Sequence, residues 1–390
     1  MAQDLDILIK GGHVIDPLNG IDGVMDVGIA EDTIAVVGPD IPGSRAARLV
    51  EAAGYLVTPG LIDMHVHVFH GTEPDAYISN SFTSVPPDAF TFRSGVTTAV
   101  DVGSAGWRNF KQFVEQTVAR SRTRVLAFLN IVGVGMKGGP LEQNLNDMDP
   151  KMTALVAMQY PDVVVGVKLA HYEGYDWTPT DLAVEAGTLA DVPVMVDFGS
   201  ANPPLPLEEL FLEHLRPGDI FTHAFADLAT REAIVDSNEV LRSFVGEARG
   251  RGIVFDVGHG GLSFSYTQAV PAARQGFWPD VISTDLHTGS MNGAMKDLTN
   301  VMSKFLALGM PLQEVVRGTT SNPARVIKRP DLGHLGLGAV ADVAVFKLRE
   351  GDFGFVDVYG ARRSGTQKLE AELTVREGRV VWDLNGLSAR

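Results

Sequence analysis

Between residues 58 and 327 the chain repeats one texture eight times: a short run that is apolar on both faces, then a longer stretch with helical spacing. The runs are residues 61–68, 96–101, 124–129, 163–168, 193–197, 219–223, 252–257 and 281–285. A strand without a polar face must be covered on both sides, which is the condition of a parallel sheet wrapped in helices. Helical stretches fill the intervals, among them 107–120, 179–189 and 205–215. Eight strands alternating with helices predict an α/β fold of the (β/α)8, TIM-type barrel class. The rival, an open doubly wound sheet, would want Gly-x-Gly-x-x-Gly after its first strand, and none is there.

The two flanks are strand-like. Residues 5–10 and 13–16 read as strands around a turn at Gly11-Gly12, and 26–30 and 33–38 flank the turn signal Glu31-Asp32. After a helix over residues 312–326, strand texture returns at 341–346, 369–375 and 378–382. Neither flank is long enough to bury a core of its own. They are predicted to pack together as one small composite β-sandwich domain, residues 1–57 with 335–390, into which a barrel of residues 58–334 is inserted.

A net charge of −16 argues against nucleic-acid and anionic-membrane partners, which demand basic patches. There is no cysteine, so a metal could be held only by His, Asp, Glu or a modified Lys. The stretch from Met1 to Asp6 is acidic and lacks the layout of a signal peptide, and no apolar run reaches membrane-spanning length. These features predict a cytoplasmic protein acting on a small molecule, and they leave a homo-oligomer open.

Active sites of such barrels lie at the carboxyl ends of the strands. The polar residues that close the runs are His65 and His67, Lys168, Asp197, His223 and Asp285; His259 follows the seventh run within Gly258-His259-Gly260-Gly261. His65 and His67, two residues apart, share one face of a strand. Any one of these residues could simply mark where the chain meets water. Together in one barrel mouth they predict a metal site. Lys168 is the hardest to dismiss, because a lysine at the mouth of a packed core needs a partner or a modification.

The stretch Thr58-Pro59-Gly60-Leu61-Ile62-Asp63-Met64-His65-Val66-His67 resembles the opening motif of the amidohydrolase superfamily. So do Thr320-Ser321-Asn322-Pro323-Ala324 and the segment from Gly338 to Phe346. Gly166-Val167-Lys168, Gly218 to His223, Asp256 to Gly260 and Ser283-Thr284-Asp285 are similar to the amidohydrolase/deacetylase subgroup, near the dihydroorotases. The resemblance implies a binuclear centre of two divalent ions, zinc or else manganese. In it His65, His67 and Asp285 hold the inner ion. Lys168, carboxylated by carbon dioxide, bridges both ions as a carbamate. His223 and a histidine closing strand five hold the outer ion.

The chain departs from that pattern at strand five, where Asp197 stands in place of histidine and no other histidine lies near it in sequence. Two dications set against a carbamate, Asp285 and a hydroxide leave one net positive charge, and Asp197 as a ligand would cancel it. Either Asp197 is a ligand or the outer ion is held loosely by Lys168, His223 and water. Asp285 is the expected general base and acid. His259 is expected as a substrate or oxyanion contact. His171 is expected to shape the substrate pocket, and His287 to orient Asp285.

The function these residues imply is hydrolysis of an amide or ester, acetyl or other acyl, of a small molecule by a metal-bound hydroxide. The rivals are a cyclic amidohydrolase of dihydroorotase type, a mononuclear deaminase and a catalytically silent barrel. The first would want an arginine near strand one, for which Arg93 and Arg108 are the nearest candidates; the second would want a Glu after strand five, where Glu208 and Glu209 fall on a helix.

Overall fold

The computed structural model describes residues 3–71, 83–197 and 201–389, so Met1, Ala2 and Arg390 of the predicted flanks lie outside the described residues. The N-terminal flank forms β1 (Leu5–Asp16), β2 (Ile21–Ala30), β3 (Thr33–Gly38), β4 (Ala46–Glu51) and β5 (Leu56–Pro59). The barrel follows with β6 (Leu61–Val66), β7 (Val96–Gly106), β8 (Arg124–Asn130), β9 (Val164–Ala170), β10 (Val194–Asp197), β11 (Ile220–Phe221) and β12 (Val254–Phe255). The C-terminal flank adds β13 (Val343–Val356), β14 (Arg362–Arg376) and β15 (Arg379–Asp383).

Strands β6 to β12 pair in sequence order, all parallel. The eighth run closes the ring. Val281 bridges to Asp256 and Leu286 to Val66, while Asp285 N donates to His65 O at 2.7 Å and Gly260 N to Thr284 O at 2.9 Å. Asp63 fastens this seam by accepting from Thr284 N at 3.0 Å and from the Thr284 hydroxyl. The fold is the predicted (β/α)8 barrel with a separate sheet built from the termini.

Two apolar layers explain why the barrel strands show no polar face. Ile62, Met64, Val100, Val102, Phe128 and Met195 fill the interior, and Leu61, Val66, Ala99, Leu129 and Val196 pack outward. In β6 the pairing register shifts between Asp63 and Val66. An irregularity of this kind re-aims the side chains beyond it. Ile62 and Met64 point inward; past the irregularity Val66 packs outward, and His65, within it, and His67 turn to the mouth.

The small domain is one sheet in the order β15-β14-β13-β5-β1-β2-β3, with β4 pairing β1 off this path. Val57 of β5 lies opposite Val345 of β13, so the two flanks share a ladder. Their core is common as well, with Ile9, Val27 and Val57 meeting Val343, Val345 and Leu373.

Two predicted details change. The Gly11-Gly12 turn is a bulge inside the single strand β1: Gly11 has φ +69°, the register shifts between Ile9 and Gly12, and Gly11 N donates to Asp26 Oδ1 at 2.7 Å. The predicted helix 312–326 is two helices, Leu312–Arg317 and Ser321–Val326. Thr319 and Thr320 turn their hydroxyls back on Val315 and Val316 carbonyls, and Pro323 lacks a helical N–H. The break has a use, since Gly318 O and Thr319 O accept from Ile282 N and Ile62 N at the foot of the barrel. Among the described residues no helix is long and apolar enough to cross a membrane.

Candidate metal centre

His65, His67 and Asp285 converge at the mouth as the one compact three-ligand group among the described residues, with their donor atoms within 4.8 Å of one another. Asp285 Oδ1 lies 3.0 Å from His67 Nε2 and 3.6 Å from His65 Nε2. The far nitrogens are held from behind: His65 Nδ1 meets Asp256 Oδ2 at 3.2 Å and Thr222 Oγ1 at 2.9 Å, and His67 Nδ1 meets Ser104 Oγ at 3.3 Å. A carboxylate behind an imidazole fixes its tautomer and turns the other nitrogen's lone pair toward a metal. Burial, with the Lys168 charge adding to it, pushes the His65 imidazole down to about 4, so it is neutral at physiological pH. Burial alone would raise the Asp285 carboxyl, but His65, His67 and His287 hold it well below the usual carboxylate range.

Lys168 comes from β9 and is 1% exposed. Its Nζ has no hydrogen-bond partner among the described residues. Burial lowers its pKa, and Arg231 lowers it further against the pull of Asp197, Asp285 and Asp256. A buried amine without a partner is costly, and a neutral one can add carbon dioxide; both facts suit a carbamate at this position.

The outer half of the mouth is built differently. His223, at φ +58°, anchors Nδ1 on Gly258 O at 2.6 Å and aims Nε2 at Asp197 Oδ2, 3.1 Å away. Asp197 Oδ1 faces Arg231 Nη1 at 3.4 Å. That guanidinium is almost wholly buried, donates to Thr222 O at 2.9 Å and lies 4.9 Å over the Phe221 ring. His171 brings Nε2 to within 3.5 Å of Asp197 Oδ2. Burial would raise the Asp197 carboxyl, yet His223, Lys168 and His171 hold it well below its ordinary value.

All six predicted ligands therefore meet in one cleft or just beneath it; His259 departs from its expected role. Its ring is fully buried and stacked on Phe264 (centroids 4.6 Å apart, planes 13° apart). Nε2 takes a hydrogen bond from Lys304 Nζ at 2.6 Å, and Nδ1 donates to Gly260 O at 3.0 Å. With both nitrogens engaged behind the loop, the ring supports the mouth instead of touching a substrate. The loop's cleft wall is Gly261, Leu262 and Ser263. Arg108 pairs with Asp147, and Arg93 lines a separate crevice against the small domain, so neither fills the carboxylate-reading role weighed for it. Sequence reasoning missed Arg231, Asp256, Thr222 and Glu142. The one signal for Arg231 was indirect: a carboxylate at 197 in an apolar mouth calls for a cation.

The amidohydrolase family model matches residues 183–382, and a deacetylase of Agrobacterium fabrum is 36% identical over 334 residues, covering 84% of this chain and 79% of the relative. The chain belongs to the amidohydrolase family. Among solved structures of similar proteins, an adenine deaminase superposes with a TM-score of 0.87 at 28% identity, covering 98% of this chain and 100% of that one. A dihydroorotase does so with a TM-score of 0.85 at 31% identity, covering 97% and 99%.

In this family member the cleft above the six residues encloses about 300 Å³, at the small end for ligand pockets. Gly260, at φ +56°, lies so close to Asp285 that a β-carbon would collide with Oδ2. Gly260→Ala is therefore expected to displace the carboxylate and lower kcat/KM by roughly 100-fold, since misplacement by about 1 Å is worth that much. Steady-state kinetics beside an unchanged circular dichroism spectrum checks it.

Proposed function

We propose that this chain is a metal-dependent hydrolase that removes an acyl group, acetyl foremost, from the nitrogen or oxygen of a small molecule. The observation that carries the reading is the pairing of the His65, His67 and Asp285 group with a buried Lys168 amine that has no hydrogen-bond partner among the described residues. The similarity to a named deacetylase over most of the chain supports it. The donor set suits zinc, with manganese as the alternative. Lys168 as a carbamate, His223 and Asp197 would serve a second cation. A divalent ion bound here acidifies water and polarises a carbonyl.

The chain's own residues supply the rest. Asp285 keeps Oδ1 toward the two imidazoles and Oδ2 toward His287 Nε2, 3.8 Å away. Oδ2 is thus placed to take a proton from attacking water and pass it to the leaving atom. The acyl group departs as a carboxylic acid and the remainder as an amine or alcohol. Leu228, Leu262 and Met136 give the cleft an apolar wall for a small acyl chain.

The test is a panel of acetylated amino acids, acetylated hydroxy acids and cyclic ureides, run on chelator-stripped enzyme and on enzyme reloaded with zinc or manganese plus bicarbonate. Turnover of acyl substrates is expected only after reloading. Turnover confined to the ureides would favour the cyclic-amide reading, and acyl turnover undiminished by chelation would sink the metal-dependent one.

A further inference from the structure

The family pattern places an imidazole at the end of strand five, and this chain has a carboxylate there. Three observations bear on what replaces it. First, His171, from the loop after β9, brings Nε2 to 3.5 Å from Asp197 Oδ2, the same oxygen that lies 3.1 Å from His223 Nε2. Second, His171 Nδ1 is bonded at 2.9 Å to Glu142 Oε2, a carboxylate whose side chain is 1% exposed. A buried carboxylate behind a histidine whose other nitrogen faces the site is the arrangement found behind metal-bound imidazoles, and Asp256 behind His65 repeats it in this molecule. Third, the backbone is held to this placement. His171 has φ +57°, a conformation that disfavours a side chain, while Gln143 Nε2 donates to His171 O at 2.7 Å and Gln143 Oε1 accepts from Glu173 N at 2.8 Å. A histidine that merely faced solvent would need none of these.

We infer that His171 is a ligand of the outer metal ion, supplying the imidazole that strand five lacks, and that Arg231 neutralises the charge Asp197 brings in its place. The outer set is then His171, Asp197, His223 and Lys168. The Asp197–Arg231 pair carries no net charge, as the family's histidine would carry none, so the electrophilicity of a two-ion centre is kept. The ligand lost from one strand end is recovered from a neighbouring loop. This rests on the metal-dependent reading above.

Metal counting tests it without recourse to activity. Stripped enzyme is reloaded with zinc and bicarbonate, and bound ions are measured by mass spectrometry for wild type, His171→Ala, His171→Asn and Glu142→Gln. Cobalt substitution adds a visible spectrum that reports the outer ligands. Wild type is expected to hold about two ions per chain, and both His171 variants one, with the ligand-field bands of the outer cobalt lost. Glu142→Gln is expected to weaken the outer ion roughly 10- to 100-fold. His171 is half-exposed on a loop, so its loss opens no core cavity, and thermal unfolding verifies folding. Variants that keep two ions with unchanged affinity overturn the inference, as does a wild type that holds one ion under saturating zinc. A wild type that binds none is a different failure, that of the metal-dependent function itself.

Discussion

Asp285→Asn is expected to abolish turnover, lowering kcat/KM by about 10⁴-fold or more, and to weaken the inner ion as well. Two losses combine. The amide cannot take a proton from water or deliver one to a leaving group, and acid–base groups in such positions contribute about 10²- to 10⁴-fold. The carboxylate also closes the inner ligand group, with Oδ1 lying 3.6 Å from His65 Nε2 and 3.0 Å from His67 Nε2, and it brings the negative charge that offsets a dication, which an amide does not. Metal content separates the two effects. A variant that keeps its ion and loses only rate shows the proton role alone. One that keeps wild-type rate would remove Asp285 from the chemistry.

The second large effect concerns Lys168, whose two substitutions should behave differently. Lys168→Ala is expected to lose about 10³-fold in rate and to recover part of it with acetate or propionate, which can supply the missing bidentate oxygen ligand. Undiminished rate without such acids would rule out a carbamate role. Lys168→Met should stay inactive under all additions. It should also make the metal-free, carbon dioxide-free protein more stable, by about 1–3 kcal/mol, because it replaces an unpartnered buried amine with an apolar chain of similar length. Thermal unfolding of the stripped proteins measures this. Burial lowers the Lys168 pKa below that of free lysine, so more neutral amine is present at any given pH. Reactivation of stripped enzyme by bicarbonate should therefore stay efficient at a pH where free lysine is almost fully protonated.

Much of this molecule can be read along the chain. Eight runs apolar on both faces specify a covered parallel sheet because every strand is packed against helices outside and against other strands' side chains inside; the polar residue ending each run marks the mouth. His65, His67, Lys168, Asp197, His223 and Asp285 are legible for that reason. The flanks were legible as one domain because neither could bury a core alone.

Tertiary structure decided the rest, and the reason is distance along the chain. Whether β6 points His65 and His67 inward depends on a register shift against β7, a property of pairing between strands. Gly11 and Gly12 look like a turn until Asp26 claims the Gly11 N–H and keeps the strand continuous. His259 sits where a substrate contact is expected, yet Lys304, 45 residues away, takes its free nitrogen and turns it into a support. Asp197 illustrates the point most sharply. Along the sequence it is a histidine lost with no histidine nearby; in space His171 stands 3.5 Å from its carboxylate on one side and Arg231 3.4 Å on the other. Local pattern determines where a strand ends and which residue ends it. Only the closed barrel brings together the charges and lone pairs of different strand ends and loops, and their mutual neutralisation determines what the site can hold.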